Sequence, residues 1–246
     1  MRTALVRRTV LTASAVSLAL LATACGSGEG DSKGDAKSSA KPSAAASPSP
    51  TPEAKALTAE ELEKVSLVNG DVPKVELAKA GADDVSKVSE VSSDKAECKP
   101  LALVGSLATL GDSVTSTERI ATGEPTDMKN PLSITITAVK VQSYNGKGAE
   151  AALASLKTAG TACAGGFIVT AGGDKTTIKS VAPATATAGD EAAAWDVTMS
   201  EDGEAIESRL VAFRKGSNLV TIQHVSFTGK PGTPQAFIDA QLKKLG

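Results

Sequence analysis

The most regular pattern of apolar and polar positions lies near the C-terminus. Every second residue from 193 to 199 is apolar, and Trp195 is the largest of them. A period of two predicts a half-buried strand with Trp195 in the core. Asp202-Gly203 is a hairpin turn signal, and two more apolar-rich segments, 206–214 and 219–227, follow it. We therefore expect an antiparallel meander of three strands here.

Shorter strand patterns precede this meander. Residues 114–121 and 132–138 have strand-like patterns, and at Val139 the alternation slips by one position. The slip predicts either a bulge or burial on both faces of the sheet. Two short segments, 167–170 and 177–181, flank a glycine-rich turn and predict a further pair of strands.

Four segments have the pattern of helices. They are a short segment after the Thr58-x-x-Glu61 capping box, residues 101–110 with Pro100 before them and Gly111 after, an Ala-rich segment between Asn145-Gly146 and Lys157, and a last segment capped by Thr233-Pro234. Residues 74–95 are too polar to assign. This order of elements predicts an α+β fold: a single domain over residues 57–246 with a central antiparallel sheet packed by helices.

The first 56 residues lack these patterns. Arg2, Arg7 and Arg8 form a basic start, an apolar segment of about half a membrane span follows, and small residues precede Cys25. This layout is typical of an export signal. It resembles the signal peptide and lipobox of bacterial lipoproteins. The resemblance implies cleavage after Ala24 and a diacylglyceryl thioether on Cys25.

Residues 1–24 are therefore predicted to be a lipoprotein signal peptide, and Cys25 is predicted to hold the protein at the extracytoplasmic face of the membrane. A transmembrane anchor and a secreted protein with a chance cysteine after its cleavage site are the alternatives. Arg7-Arg8 also fits a twin-arginine signal, so Sec and Tat export both stay open. Beyond the lipidated cysteine, residues up to 56 are rich in Ser, Pro, Ala and Lys, which predicts a disordered linker over 25–56.

Charge and composition limit the partners. The chain carries 26 Lys and Arg against 28 Asp and Glu, and removing the signal takes away three arginines and no acid. Nucleic-acid binding needs clustered cations, and the 2% of aromatic residues leave no platform for stacked bases. We expect the membrane as a partner through Cys25, an unidentified small-molecule or envelope ligand, and no nucleic acid. The oligomeric state stays open.

The cysteines point to one cross-link. If Cys25 is lipidated, Cys98 and Cys163 remain as a pair in an oxidising compartment. Their spacing matches no CxxC metal or redox motif. We expect a disulfide between them, and two buried free thiols are the alternative.

Catalytic and metal-binding patterns are few. His224 is the one histidine, which excludes zinc sites that need two, and its place in a strand predicts a structural role. Ser92-Ser93-Asp94-Lys95 fits Ser-x-x-Lys, but no partner motif accompanies it. Acidic residues cluster at the 202–203 hairpin and indicate a solvated turn or a weak calcium site; they are Glu201, Asp202, Glu204 and Glu207. We predict no catalytic residue, no cofactor and no resident metal.

Residues 57–246 resemble the extracellular sensor domain of some actinobacterial Ser/Thr kinases of the PknH type and of related lipoproteins. The resemblance is carried by Leu57-Thr58-Ala59-Glu60-Glu61-Leu62 with Asp71-Val72-Pro73 after it, Cys98-x-x-Leu101-Ala102, the strand over 132–141, Cys163, and the final meander and helix. It implies an antiparallel sheet with flanking helices and a groove that binds a ligand. The kinase members carry two disulfides and a kinase domain, whereas this chain can form one disulfide and has no kinase domain.

The leading hypothesis is a membrane-anchored lipoprotein with a non-catalytic, ligand-binding or sensor-like domain. A carrier of an apolar or lipid ligand is the alternative, and an enzyme of unrecognised type is a third. A cavity of several hundred Å³ with apolar walls favours the carrier. A shallow polar groove favours the sensor, and acids and bases that converge in a cleft favour the enzyme.

Overall fold

The described strands form one continuous antiparallel sheet. The computed structural model describes residues 54–125, 127–130, 133–201 and 203–246. The predicted signal peptide, Cys25 and the linker up to residue 53 lie outside these ranges. The nine strands of the described residues are β1 (Val75–Lys79), β2 (Val91–Ser93), β3 (Thr115–Gly123), β4 (Thr135–Ser143), β5 (Phe167–Ala171), β6 (Asp174–Ala184), β7 (Glu191–Glu201), β8 (Glu204–Lys215) and β9 (Asn218–Ser226).

The strand order is β1-β3-β4-β9-β8-β7-β6-β5-β2. The predicted meander is confirmed as β7-β8-β9, with Trp195 opposite Leu210 and Val211 opposite Ile222. The strands predicted around the glycine-rich turn also pair, as β5 and β6. Both edge strands, β1 and β2, come from residues 74–95, whose sequence was too polar to predict a strand or a helix.

Four helices cover the two faces of the sheet in the described part of the chain. They are α1 (Ala59–Lys64), α2 (Lys99–Gly105), α3 (Gly148–Ala162) and α4 (Gln235–Leu245). Side chains of α2 and α3 join one apolar cluster with Trp195, and side chains of α1 and α4 join a second cluster with Phe213. Because neighbours along β7 and β8 alternate between these clusters, the sheet is buried on both sides. The α+β class predicted from the sequence is confirmed.

Burial on both faces explains the slip of alternation at Val139. Val139 and Val141 face the α1–α4 cluster, opposite Ile222 and Val220 of β9. The residues between and after them, Lys140 and Gln142, are also buried, on the opposite face. No register shift separates β4 from β9, so the bulge alternative is wrong here.

Two helix boundaries differ from the prediction at their C-termini. α2 ends at Gly105 rather than Leu110, because Leu107 takes the left-handed conformation (φ 50°) and closes a Schellman turn. In that turn Leu107 N–H donates to the Val104 carbonyl and Ala108 N–H donates to the Leu103 carbonyl. α3 continues past Lys157 to Ala162 because its alanines and Gly160 pack on the sheet.

The prediction that Thr233-Pro234 caps the last helix is wrong for the threonine side chain. Pro234 is the N-cap residue of α4, and no side chain caps this end. The Thr233 hydroxyl instead accepts a hydrogen bond from Arg209 Nη1 at 2.9 Å. The capping box of α1 is confirmed, because Thr58 and Glu61 bond each other's backbone N–H groups.

Candidate functional site

A small apolar cavity lies between α2 and the face of the sheet formed by β5 to β9. Its volume is about 130 Å³. Leu101, Ala102, Gly105 and Ser106 form the wall on the α2 side. The sheet supplies the floor: Phe167, Val169, Ala171, Thr176, Ile178, Val181, Val197, Met199, Ser208, Leu210 and Gln223. None of these described lining residues is charged.

The N-terminal end of the α2 wall is cross-linked. Cys98 immediately precedes α2 and Cys163 follows α3, and the structure joins them in a disulfide with a Cα–Cα distance of 5.8 Å. That distance is within the usual range of about 5.5–6 Å. Both cysteines are fully buried. Of the two alternatives for this pair, the structure contains the disulfide rather than the free thiols.

The C-terminal end of the α2 wall is held by a buried lysine. Lys140 Nζ donates to the Leu107 carbonyl at 2.6 Å and forms an ion pair with Glu118 at 2.9 Å. Its side chain is only 1% exposed. Burial lowers the pKa of Lys140, and the hydrogen bond and charge of Glu118 oppose that shift. The lysine therefore ties the turn after α2 to strands β3 and β4.

Sequence reasoning did not identify Lys140. The available signal was a charged residue at the point where the strand alternation slips, but a lysine there is also compatible with exposure. Its role depends on Leu107, which lies 33 residues away in the sequence. Only the folded arrangement brings the two together.

The polar side chains of the cavity are few: Ser106, Thr176, Ser208 and Gln223. Only Ser208 makes a side-chain hydrogen bond within the described residues. The Ser208 hydroxyl donates a long hydrogen bond to the Val197 carbonyl at 3.4 Å. Gln223, on β9, is half-buried, and its side-chain amide has no hydrogen-bond partner among the described residues. The cavity therefore offers an amide that can both donate and accept.

A second depression lies at the β1 edge of the sheet. It is a shallow, open groove with a volume of about 490 Å³, lined by Asn69, Lys74, Val75, Glu76, Thr122, Gly123 and Glu124. The Asn69 side chain accepts the outward N–H of Leu77 at 3.2 Å. Because most of its side chains are exposed, this groove is the less defined of the two depressions.

His224 has the structural environment that its strand position predicted. Its Nδ1 shares a hydrogen bond with the Thr137 hydroxyl at 2.7 Å, and burial lowers its pKa. Asp196 lies two strands away and pairs with Arg209 and Lys230, both at 2.6 Å. Burial raises the pKa of Asp196, but the hydrogen bonds and charges of Lys230 and Arg209 outweigh burial and leave that pKa below its usual value. None of these groups lines the apolar cavity.

The other motifs have structural partners. Asp94 Oδ1 accepts from the Ile168 N–H at 2.8 Å, and Lys95 Nζ donates to the Gly166 carbonyl. Glu207, of the acidic hairpin, accepts from the Thr198 hydroxyl at 3.1 Å. Asp202 lies outside the described residues. Within the described ranges no three His, Cys, Asp or Glu side chains gather as a metal site.

Comparison with known proteins identifies the fold. No family model and no curated protein matches the sequence. Among solved structures, the extracellular domain of PknH from Mycobacterium tuberculosis is similar, with a TM-score of 0.50 and 15% sequence identity. The similarity covers 78% of this chain and 97% of that domain. The chain thus has a PknH-like extracellular-domain fold, in agreement with the resemblance noted from the sequence.

None of the described helices is both long enough and apolar enough to cross a membrane.

Proposed function

We propose that this protein is a lipid-anchored, extracytoplasmic lipoprotein, of actinobacterial type, whose domain binds a ligand without catalysis in the manner of a sensor. The small, partly open apolar cavity under α2 is the observation that carries the binding function. The shallow groove at the β1 edge is the feature expected of a sensor. Apolar pockets with a few placed polar groups are the usual form of small-molecule sites. The fold shared with an extracellular domain supports a location outside the cytoplasm.

The non-catalytic part of the proposal rests on the cavity walls. Its polar side chains are Ser106, Thr176, Ser208 and Gln223, and none of them is a general acid or base at neutral pH. His224 and Asp196 are engaged elsewhere on the sheet. Binding is therefore the chemistry that this cavity supports best.

The start of the domain is compatible with a tether. Gly146 N–H donates to the Ala54 carbonyl at 2.7 Å, and Leu57 N–H donates to Ser143 Oγ at 2.8 Å. These bonds fix the chain where β4 ends. The cavity lies toward the opposite ends of the strands, near Met199 and Thr176. The point where the described chain enters the domain and the cavity therefore lie at opposite ends of the strands.

The carrier alternative receives less support. Enclosing a whole lipid requires several hundred Å³, whereas this cavity holds about 130 Å³. A ligand much larger than one ring would have to remain partly outside.

Anchoring is tested by replacing the lipidated cysteine. Cys25→Ser should leave the membrane fraction or accumulate uncleaved, whereas the neighbouring control Ser27→Ala should stay anchored. Fractionation and intact mass of both proteins are the measurements. Wild-type protein found wholly in the medium without an acyl mass would contradict the lipoprotein proposal.

Ligand binding is tested separately by native mass spectrometry of the full-length protein, released by detergent from its own envelope. We expect a non-covalent adduct that disappears when the cavity is filled by Ala102→Leu. A spectrum without any adduct, from protein that is folded and lipidated, would contradict the binding function and leave the anchor unaffected.

A further inference from the structure

We propose that the cavity under α2 takes a neutral apolar group of about one ring, or the end of a short chain, that carries one hydrogen-bonding substituent read by Gln223. This inference rests on the ligand-binding function proposed above and names the class of ligand. Four features of the described residues support it: the size of the cavity, the charges around it, the unpaired amide and the surface beyond the cavity mouth.

The size of the cavity limits what it can enclose. An engineered apolar cavity of about 150 Å³ in another protein stays dry and binds benzene. The present cavity, at about 130 Å³, is of that order. It therefore has room for one six-membered ring or a few methylene groups, and a sugar chain, a peptide or a complete acyl chain would not fit inside.

The charges argue for a neutral ligand. No described residue that lines the cavity is ionisable, and the buried cation behind the α2 turn, Lys140, already has Glu118 and the Leu107 carbonyl as partners. An ion in the cavity would lose its hydration without gaining a counter-charge, which is strongly unfavourable. The cavity therefore discriminates against carboxylates, phosphates and amines.

The unpaired amide gives the cavity its polar specificity. Ser208 is already bonded to the Val197 carbonyl, whereas the hydroxyls of Ser106 and Thr176 and the half-buried Gln223 amide have no partner among the described residues. Of these three, the amide presents the most polar atoms, a donor nitrogen and an acceptor oxygen. Gln223 is half-buried in the free protein, so water can bond its amide. A ligand that covers the amide removes this water, and a covered polar group needs a new hydrogen bond. A hydroxyl or amide on the ligand would supply the partner that Gln223 lacks.

The sheet beyond Gln223 provides a path for the rest of the ligand. Ala138 lies opposite Gln223, and Ile136 lies opposite Val225. None of these three apolar residues belongs to the cluster that α2 and α3 form with the sheet. Ile136, Ala138 and Val225 are each half-buried. This apolar strip continues from Gln223, which lines the cavity, toward the ends of β4 and β9, so a longer ligand would lie along it.

The test uses four probes with the full-length protein: benzyl alcohol, hexan-1-ol, toluene and benzoate. Methyl NMR shifts of Leu101, Val197 and Met199 report occupancy of the cavity. We expect both alcohols to bind there, and benzoate to bind at least tenfold more weakly than benzyl alcohol. The tighter of the two alcohols indicates whether the natural group is an aromatic ring or the end of an aliphatic chain.

Variants separate the cavity from the amide. Ala102→Leu should abolish binding of every probe by filling the cavity, and Gly105→Leu is a second filling variant, because an added Cβ there meets no atom within 4 Å. Gly232→Leu, an equally unobstructed glycine away from the cavity, should bind as wild type does. Gln223→Leu should weaken both alcohols several-fold and leave toluene unchanged.

Specific outcomes would overturn the inference. Benzoate binding as tightly as benzyl alcohol would refute the neutral class, and equal losses for toluene and the alcohols in Gln223→Leu would refute the role of the amide. Folded protein that binds no probe would refute the whole inference. Native mass spectrometry of the full-length protein would still test the ligand-binding function, independently of these four probes.

Discussion

Lys140 carries a charge inside the protein and joins two segments that are remote in sequence. Burial disfavours its ammonium form, and Glu118 with the Leu107 carbonyl offsets much of that cost. Leu107 itself has a left-handed backbone (φ 50°), a conformation that costs a residue with a side chain about 1–3 kcal/mol. The hydrogen bond from Lys140 helps to keep this unfavourable turn in place at the end of the cavity wall.

Replacing Lys140 should be much more harmful than replacing a surface lysine. Lys140→Met removes the cation beside Glu118, which keeps only the Ser116 hydroxyl among its described partners, and it removes the donor to the Leu107 carbonyl. We therefore expect a loss of about 3–5 kcal/mol in the free energy of unfolding. Lys157→Met is the matched control, because Lys157 pairs with Glu191 at 2.6 Å but is 39% exposed; its loss should be about 0–1 kcal/mol. Urea unfolding measures both, and equal losses would contradict the role given to Lys140.

His224 should make stability depend on pH just below neutrality. Burial lowers its pKa from 6.5 in the folded protein, so the unfolded chain binds a proton first as the pH falls. Its contribution to stability is complete above pH 6.5 and is lost as the pH falls toward the lower folded pKa. Arg209 lies opposite His224 on β8, but its guanidinium is paired with Asp196 at 2.6 Å, so burial is the cause of the lowered pKa.

The measurement is the unfolding free energy of wild type and His224→Gln between pH 7.5 and pH 5. The wild type should lose stability on acidification below 6.5, and the variant should show a flatter curve there. Carboxylates with lowered pKa values, such as Glu63 and Glu191, lose their contributions only below about 4.5, which keeps the two effects apart. Parallel curves in this window would refute the prediction.

Trp195 is buried as its place in the alternating strand predicted, with 5% of its surface exposed. It packs against α3 at Gly160, where an added Cβ would collide with the indole ring. Trp195→Ala should cost about 3–5 kcal/mol, and Gly160→Ala about 1–3 kcal/mol through overpacking. Because both changes act on one contact, the double variant should cost less than their sum. Additive losses, measured by denaturant unfolding, would contradict this packing.

At the scale of elements, α2 is short and depends on its attachments. It has seven residues, too few to be stable alone. The disulfide to Cys163 fixes its start, the turn held by Lys140 fixes its end, and Leu101 to Val104 pack into the core. The cavity wall therefore depends on both attachments.

Reduction of the disulfide should destabilise the protein by roughly 2–5 kcal/mol. Hydrogen exchange should rise first in residues 74–110, because β2 buries only Val91 and the turn before it, Val88–Glu90, buries no residue. A Cys98→Ser/Cys163→Ser variant serves as the control, since its stability should not respond to dithiothreitol. Alkylation of both residues in exported, unreduced protein would show free thiols and refute the cross-link.

The two edge strands are elements that the sequence alone did not predict. β1 has five residues and β2 has three, and neither has an apolar alternation long enough to identify it. Each exists because a longer neighbour supplies the hydrogen bonds: β3 for β1 and β5 for β2. The meander could be predicted because its strands are long and each buries a regular set of side chains.

At the scale of the whole molecule, the sheet is covered on both faces but not evenly. α1 and α4 pack on one face, and α2 and α3 cover only part of the other. The uncovered part lies toward the ends of the strands away from residue 54. Because the helices cover this face unequally, the cavity and the apolar strip beside it stay partly open. Both lie at the ends of the strands that are remote from residue 54.

The sequence by itself determined the α+β class, the meander and the burial of Trp195. It also predicted a disulfide between Cys98 and Cys163. Each of these follows from local periodicity, turn residues or residue counts, which are properties of neighbouring positions. The tertiary structure alone decided the cavity, the unpaired Gln223, the early end of α2 and the burial of Lys140. These depend on groups far apart in the chain, such as Lys140 and Leu107, whose contact forms only when the helix packs on the sheet.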